Sequence, residues 1–545
     1  MDESHTSSQP EDIFFQEEVV NHLRNGDWAQ ALRFATHWIE HNPMSVEAHG
    51  NRSYALRQLA LFPEALECLD HVIHLKPDSF IAYQNRGVVL RDMKCLEEAL
   101  MSHERALEIK PDYVQAWKNK GIVLSDLGRF QEALRCYKQV LELLPHDAQA
   151  YSLCGHVFHR LGRFEEAIES YNCALHIRPN YAEVLYDRSL SLRELLRLEE
   201  AIESCEQAVR IRPHFAEAWW NQAEMLILLG DYERGWPMFH WRWRSGEYGK
   251  VMRHLEPPLW LGEDDLVGKS ILIHRDGGFG DTLNFCRYTS MLLARGAEVI
   301  LEVQKGLVDL LETSFPEVQV IGNGEALPAF DWHCPLMNLP GALGLSLRQV
   351  PETGPYLHVP EAHLHRWKSR LGSSSKPRIG LVWSGSSDHS NDRQRSMPLS
   401  HLTPLFAYSE TLEFHCLQKL IRDRDRDLAE ELSLRLWEEE LSDFAETAAL
   451  VMEMDLVITV DTSMAHLAGA LGKSVWVMLP HVPDMRWLLH REDSPWYPEV
   501  MRLFRQPERG DWLSVIKRIS EELNAFEPSS AGRSARRATE KGANV

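Results

Sequence analysis

Three loops carry residue types suited to holding a small anion. The first lies in 271-ILIHRDGGFGDTLNF-285, where an apolar run, Ile271 to Ile273, gives way to glycines and then to a segment that reads as a helix from Asp281 and Thr282. Glycines between a strand and a helix let a ligand approach the backbone closely, because no Cβ stands in the way. The stretch holds Gly278-x-Gly280 but lacks the third glycine of the dinucleotide fingerprint, so alone it is weak evidence. The second loop opens 461-DTSMAHLAGALG-472. The run LVITV ends at Asp461, and Thr462 and Ser463 fall at a helix N-terminus, where hydroxyls and free N–H groups favour an anion; His466 follows one turn on. An ordinary N-cap with a buried histidine explains the same residues. The third loop, 384-SGSSDHSNDRQRS-396, follows an apolar run and offers Arg393 and Arg395 for pairing with phosphate. A solvated surface loop is the plain alternative there. Three polar loops, all at strand ends in one region, favour a shared anionic ligand.

The elements that must position these loops alternate in type. Short β-rich runs occur at 270–275, 298–303 and 317–322, and a second series at 378–385, 413–418, 456–461 and 474–479. Helical patterns such as 443–454 and 463–472 lie between them. Such alternation argues for parallel sheets covered on both faces, with ligands beyond the carboxyl ends of the strands. The proline-bearing stretch 351–363 interrupts the series and reads as a hinge between two Rossmann-like halves.

The chain before residue 246 has a different logic. Pro43, Pro77, Pro111, Pro145, Pro179 and Pro213 recur every 34 residues, in step with Ala31, Ala65, Ala99, Ala133, Ala167 and Ala201. A small residue stands twelve positions before that alanine, at Ser53, Gly87, Gly121, Gly155 and Ser189, and an aromatic four positions earlier still, at Tyr83, Trp117 and Tyr151. Small residues let antiparallel helices approach, aromatics fill the space between pairs, and proline ends each second helix because it cannot continue the hydrogen-bond ladder. This pattern resembles the tetratricopeptide repeat over about residues 12–245, as six repeats and a partial seventh, 216-AEAWWNQAEMLILLGDYERGWPMF-239, where Gly235 replaces the alanine. Such repeats stack into a solenoid with a concave face suited to a protein or peptide.

Composition narrows the partners. With 80 Asp and Glu against 58 Lys and Arg, a formal net charge of −22 makes nucleic acid and anionic membrane poor partners. Nine scattered cysteines show neither a disulfide framework nor zinc spacing. The acidic N-terminus is unlike a signal peptide and no apolar run suffices to span a bilayer, so a soluble cytoplasmic protein is expected.

GGFGDTLNFCRY, WSGSSDHSNDRQRS and DLVITVDTSMAHLAGALGKSVWVMLP resemble glycosyltransferase family 9, which includes the bacterial lipopolysaccharide heptosyltransferases, and most of all its branch with N-terminal tetratricopeptide repeats. The resemblance covers about residues 230–520 and takes in GDYERGWPMFHWRW and 493-DSPWYPEVMRLFRQ-506. It implies a GT-B fold of two Rossmann-like halves, a nucleotide-sugar donor, and neither metal nor cofactor. Carried over residue by residue, Asp281 would be the general base on the acceptor hydroxyl, the bland alternative being a helix cap. Asp461 would bind the sugar, Thr462, Ser463 and His466 the diphosphate, Arg395 a phosphate, and Gln418 the nucleotide. Gly278 and Gly280 would shape the loop. The branch favours GEQGLGD, whereas Arg275 and Gly277 here replace a glycine and a glutamine and Asp276 keeps the acidic character. In 484-DMRWLL-489, Trp487 suits a cleft wall or plain packing equally.

The expected organisation is a disordered 1–11, a repeat solenoid over 12–245, GT-B halves over 246–360 and 361–526, and a disordered tail over 527–545. The expected activity is metal-independent, inverting transfer of a hexosyl or heptosyl group to an acceptor selected by the solenoid, a protein in the first instance. The alternatives are a glycolipid or polysaccharide transferase docked to a complex by its repeats, and a non-catalytic scaffold with a degenerate transferase domain. The donor's base and sugar, and the oligomeric state, stay open.

Overall fold

The computed structural model describes residues 9–246, 255–346, 354–389 and 391–526. The expected tail at 527–545 lies outside them, as do residues 1–8 and 351–353. The chain divides into two compact units, Met1–Pro213 and His214–Val545.

The first unit is all-helical. Its six antiparallel pairs are α1 (Gln9–Arg24) with α2 (Trp28–His41), α3 (Val46–Gln58) with α4 (Phe62–Leu75), α5 (Phe80–Asp92) with α6 (Leu96–Ile109), α7 (Val114–Asp126) with α8 (Phe130–Leu143), α9 (Ala148–Arg160) with α10 (Phe164–Ile177), and α11 (Ala182–Glu194) with α12 (Leu198–Ile211). Helix α1 thus starts inside the segment expected to be disordered. The six phased alanines are fully buried. Each phased proline follows a helix end, and Ser45, Ser79 and Asp147 cap the helices that come next by accepting from Ala48, Ala82 and Ala150 N–H groups.

The small phased residues answer a specific neighbour. A Cβ on Gly121 would fall 2.3 Å from the Tyr137 ring, on Gly155 2.4 Å from Tyr171, and on Gly87 2.5 Å from His103. Where the small residue is Ser189 the facing position shrinks to Cys205, whose thiol donates to the serine hydroxyl at 3.2 Å. Where the phased residue carries a Cβ, the residue facing it is thus smaller. The turn inside each pair also repeats a conformation: Gly26, Ala60, Lys94, Gly128, Gly162 and Leu196 all have positive φ.

The second unit begins with α13 (Ala216–Leu228) and α14 (Tyr232–Phe239), the pair that the 34-residue phase assigns to a seventh repeat. A 3₁₀ turn, His240–Arg244, follows. Its Arg242 is buried, pairs with the buried Asp276, and donates to Asn338 Oδ1 at 2.6 Å and Phe239 O at 2.9 Å. The acidic residue kept in the glycine-rich loop therefore anchors that loop to the segment after α14.

Two parallel sheets form the rest. The first contains β1 (Ser270–His274), α15 (Phe279–Phe285), α16 (Thr289–Ala294), β2 (Glu298–Val303), α17 (Val308–Ser314), β3 (Gln319–Gly322), β4 (Trp332–Pro335) and α18 (Leu339–Ala342). Its strand order is β3-β2-β1-β4, with Ile271 opposite Val299 and Trp332. The second contains α19 (Glu361–Leu371), β5 (Arg378–Val382), α20 (Asp392–Arg395), β6 (Glu413–Cys416), α21 (Asp423–Glu431), α22 (Phe444–Met452), β7 (Leu456–Val460), α23 (Ser463–Ala470), β8 (Val475–Leu479), β9 (Met501–Arg505) and α24 (Trp512–Asn524). Its order is β6-β5-β7-β8-β9, all parallel. Strands β5 and β7 are buried throughout, as strands covered on both faces must be. β4 and β9 are strands that the sequence pattern did not indicate.

Candidate functional site

The loops after β1, β5, β7 and β8 all leave the carboxyl ends of their strands, and they bring five charged groups together. Gly277 has φ +90°, and a Cβ there would sit 2.3 Å from Asp281 Oδ2. A glutamine at this position would be both strained and blocked, so the departure from GEQGLGD is matched by a local backbone that needs glycine. Helix α15 starts at Phe279, two residues before the expected onset, with Gly278 as its cap. Asp281 Oδ2 accepts from Gly278 N–H at 2.6 Å, which is the capping role weighed from the sequence. Its other oxygen, Oδ1, forms an ion pair with Arg486.

Gly280 lets two helices meet. A Cβ there would lie 3.1 Å from His466 Cδ2 and 3.3 Å from Ser463 Cα, so α15 packs directly on the start of α23. Thr462 caps α23, accepting from Met464 N–H at 3.3 Å, and Ser463 is half-buried beside it. His466 is buried, its Nδ1 3.3 Å from Tyr497 Oη and its ring stacked 5.2 Å from Trp487. Burial, then the Arg486 charge, holds this imidazole well below its usual range, so it is neutral. Trp487 is fully buried, in line with the packing alternative.

Asp461 ends β7. Burial and the neighbouring Asp484 charge push its carboxyl up to about 6, against the opposing pull of Arg486. Its backbone carbonyl accepts from Arg395 Nη1 at 3.0 Å. Arg395 packs against Gly385; among the described residues it forms no ion pair, and its buried Nε has no hydrogen-bond partner. Arg393, on the same short helix, is exposed.

Gln418 corrects an expectation. It follows β6 at a strand end, but its Oε1 accepts from Trp383 and Ser384 N–H groups at 2.6 and 2.9 Å, and its Nε2 donates to Ser384 Oγ and Leu420 O. The amide that was expected to face a nucleotide is used to shape the loop after β5.

Three polar residues escaped the sequence reading. Arg486 and Asp484 lie in the loop after β8, where Arg486 Nε and Nη2 donate to the two oxygens of Asp484 at 2.7 and 3.0 Å. Burial alone would raise the Asp484 carboxyl; the charge and hydrogen bonds of Arg486 outweigh it and hold the carboxyl well below its usual range. His389, exposed in the loop after β5, accepts from Asn391 N–H at Nδ1. Its pKa is lowered by partial burial and by Arg395, against the charges of Asp281 and Asp484. The available signal was a basic residue in a loop following a buried strand, the same signal that singled out Arg395.

Comparison with known proteins identifies the helical part. Family models described as tetratricopeptide repeat match residues 78–146, 112–180 and 186–235. Protein FlbA of Caulobacter vibrioides is 26% identical over 334 residues, covering 56% of this chain and 55% of that protein, so the chain spans about half the length of this curated relative. Among solved structures, YrrB, described as a tetratricopeptide-repeat protein with an unusual peptide-binding site, is 23% identical over 34% of this chain and 95% of its own, with a TM-score of 0.28. A tetratricopeptide repeat protein from Parabacteroides merdae is 16% identical over 44% and 96%, with a TM-score of 0.38. No helix among the described residues is long and apolar enough to cross a membrane. The chain contains tetratricopeptide repeats, in an all-helical solenoid that precedes an α/β region built on two parallel sheets.

Proposed function

We propose that the second unit is a glycosyltransferase of the GT-B type, using a nucleotide-sugar donor, and that the repeats select a protein acceptor. The observation that carries this reading is the convergence of Asp281, from the first sheet, with Asp461, Arg395, Arg486 and the start of α23, from the second. A carboxylate for proton abstraction and a cationic, N–H-lined end for a diphosphate are the two halves of an inverting displacement. In that reaction the acceptor hydroxyl oxygen bonds to the anomeric carbon as the bond from that carbon to the diphosphate oxygen breaks. The proton passes to Asp281 Oδ1, and the electron pair leaves with the diphosphate. Arg395, with an unpartnered buried N–H, is suited to the departing charge, and Asp461, largely protonated at low pH, to a hydroxyl of the sugar.

The repeats' part rests on the general use of such solenoids as protein-binding surfaces. The assay is donor turnover by the purified chain with a panel of nucleotide sugars, alone and with the proteins that co-purify with it. Asp281→Asn is expected to lower turnover by about 10²-fold or more while the nucleoside diphosphate still binds. Equal turnover by Asp281→Asn and the unaltered chain would reject Asp281 as the base. A sugar appearing on a co-purifying protein supports the protein acceptor; transfer confined to lipid or glycan would reject it.

A further inference from the structure

The donor-site reading, on which this inference rests, leaves an imbalance of charge. Three carboxylates, Asp281, Asp461 and Asp484, stand against two guanidiniums: Arg486 pairs with Asp281 and Asp484, Arg395 donates only to the Asp461 backbone carbonyl, and His466 is neutral. A diphosphate adds further negative charge, which this arrangement repels unless a cation is released to it.

Arg486 is the cation that can be released. It is held from two sides, by carboxylates that differ in kind. Asp484 is two residues away on the same turn, grips the guanidinium through both oxygens, and also accepts from the Arg486 backbone N–H at 3.0 Å. Asp281 is 205 residues away, in the first turn of α15 beside another sheet, and holds Nη1 alone. The backbone of the arginine is fixed by Trp496 Nε1, which donates to Arg486 O at 2.8 Å, and by α13 packed against the same turn. The contact to Asp281 is therefore the separable one. While it lasts, one Asp281 oxygen serves Arg486 and the other serves Gly278 N–H, so the carboxylate is poorly placed to take a proton from a hydroxyl. Arg395 contributes the other half of an anion site, with a single carbonyl partner and a buried N–H that has none.

We propose that Arg486 is an exchangeable clamp: a nucleoside diphosphate bound beside Arg395 draws Arg486 Nη1 from Asp281 onto a phosphate oxygen, completing the anion site and freeing Asp281 Oδ1 to act as the base. Asp484 is the positioning residue that keeps the arginine within reach of both. Base release then follows donor binding, so an acceptor hydroxyl is activated only when a donor is present.

The exchange makes a prediction of unusual sign. Calorimetric titration of the full chain with ADP, UDP, GDP and CDP identifies the diphosphate that binds. For that ligand, Asp281→Asn should bind roughly three- to tenfold more tightly than the unaltered chain, because the competitor for Arg486 is gone. Arg486→Ala should bind at least about tenfold more weakly. In the double variant the gain from Asp281→Asn should vanish, since there is no arginine to release. A gain that persists in the double variant would mean that Asp281 merely repels the ligand, and would overturn the clamp. So would an Asp281→Asn affinity equal to or below that of the unaltered chain, with Arg395→Ala still abolishing binding; the donor site would then stand without the exchange. Binding of no diphosphate by the unaltered chain or any variant would reject the donor reading and the clamp with it. Should Arg486→Ala fail to fold, Arg486→Gln supplies the same contrast, removing the charge while keeping a polar side chain of similar reach beside Asp484.

Discussion

The two units use charge in opposite ways. In the repeat unit, apart from the buried Lys118–Asp147 pair, charged side chains pair with the next repeat at half-exposed positions, as Arg57 does with Asp92 and Arg91 with Asp126. Exposed pairs of this kind contribute little, ~0–1 kcal/mol each, so the unit rests on its buried alanines and interlocked rings. In the α/β unit charges from residues 281, 395, 461, 484 and 486 converge at one partly exposed place beyond the strand ends. They include a carboxyl raised to about 6 and a guanidinium shared by two aspartates. One region relies on packing; the other tolerates unfavourable electrostatics at one place.

The largest test of this contrast lies at the buried Arg242–Asp276 pair. Arg242→Met leaves Asp276 buried without its partner and should cost about 3–5 kcal/mol in chemical denaturation. Adding Asp276→Asn should restore part of the loss. The same two steps at Arg57 and Asp92 should each change stability by less than about 1 kcal/mol.

The site itself should behave as a stability liability. A carboxyl whose pKa is raised on folding binds its proton more tightly in the native state. Its contribution therefore falls as pH rises from the unfolded value of 3.8 to about 6, and stays lost above that. Asp461→Asn removes this loss. It should raise the unfolding free energy at pH 7, read by chemical denaturation, by up to about 2–3 kcal/mol, and leave it nearly unchanged at pH 4. A variant less stable than the parent at pH 7 would contradict the pKa assignment.

Packing in the repeat unit should show the reverse. Gly121→Ala drives a Cβ into the Tyr137 ring and should destabilise by about 1–3 kcal/mol. The smallest effect is expected at the turn residue Leu196, whose φ of 56° suits glycine. Leu196→Gly should stabilise by about 0.5–1 kcal/mol in a thermal melt.

What the sequence revealed follows the same division. A 34-residue phase is a local signal repeated six times, so the helix pairs, their prolines and their buried alanines could be read directly. The phased turn at residues 26, 60, 94, 128, 162 and 196 was missed because only half of those positions are glycine. In the α/β unit, apolar runs located seven of the nine strands found among the described residues. β4, Trp332–Pro335, is short and ends in proline, and β9, Met501–Arg505, has arginine at two of its five positions, so neither stood out. Gln418 was read at the right strand end, yet its amide turns back on the loop after β5, because orientation is set by tertiary neighbours. Arg486 was passed over for a similar reason: its partner Asp281 is 205 residues away, a distance that no local pattern bridges.

The most direct test of the account is the melting of the purified chain in the presence of ADP, UDP, GDP and CDP, beside Asp461→Ala, Arg395→Ala and His466→Ala. The account predicts that one nucleoside diphosphate raises the midpoint of the unaltered chain and that Arg395→Ala loses this shift. A folded chain whose midpoint is unmoved by every diphosphate would contradict it.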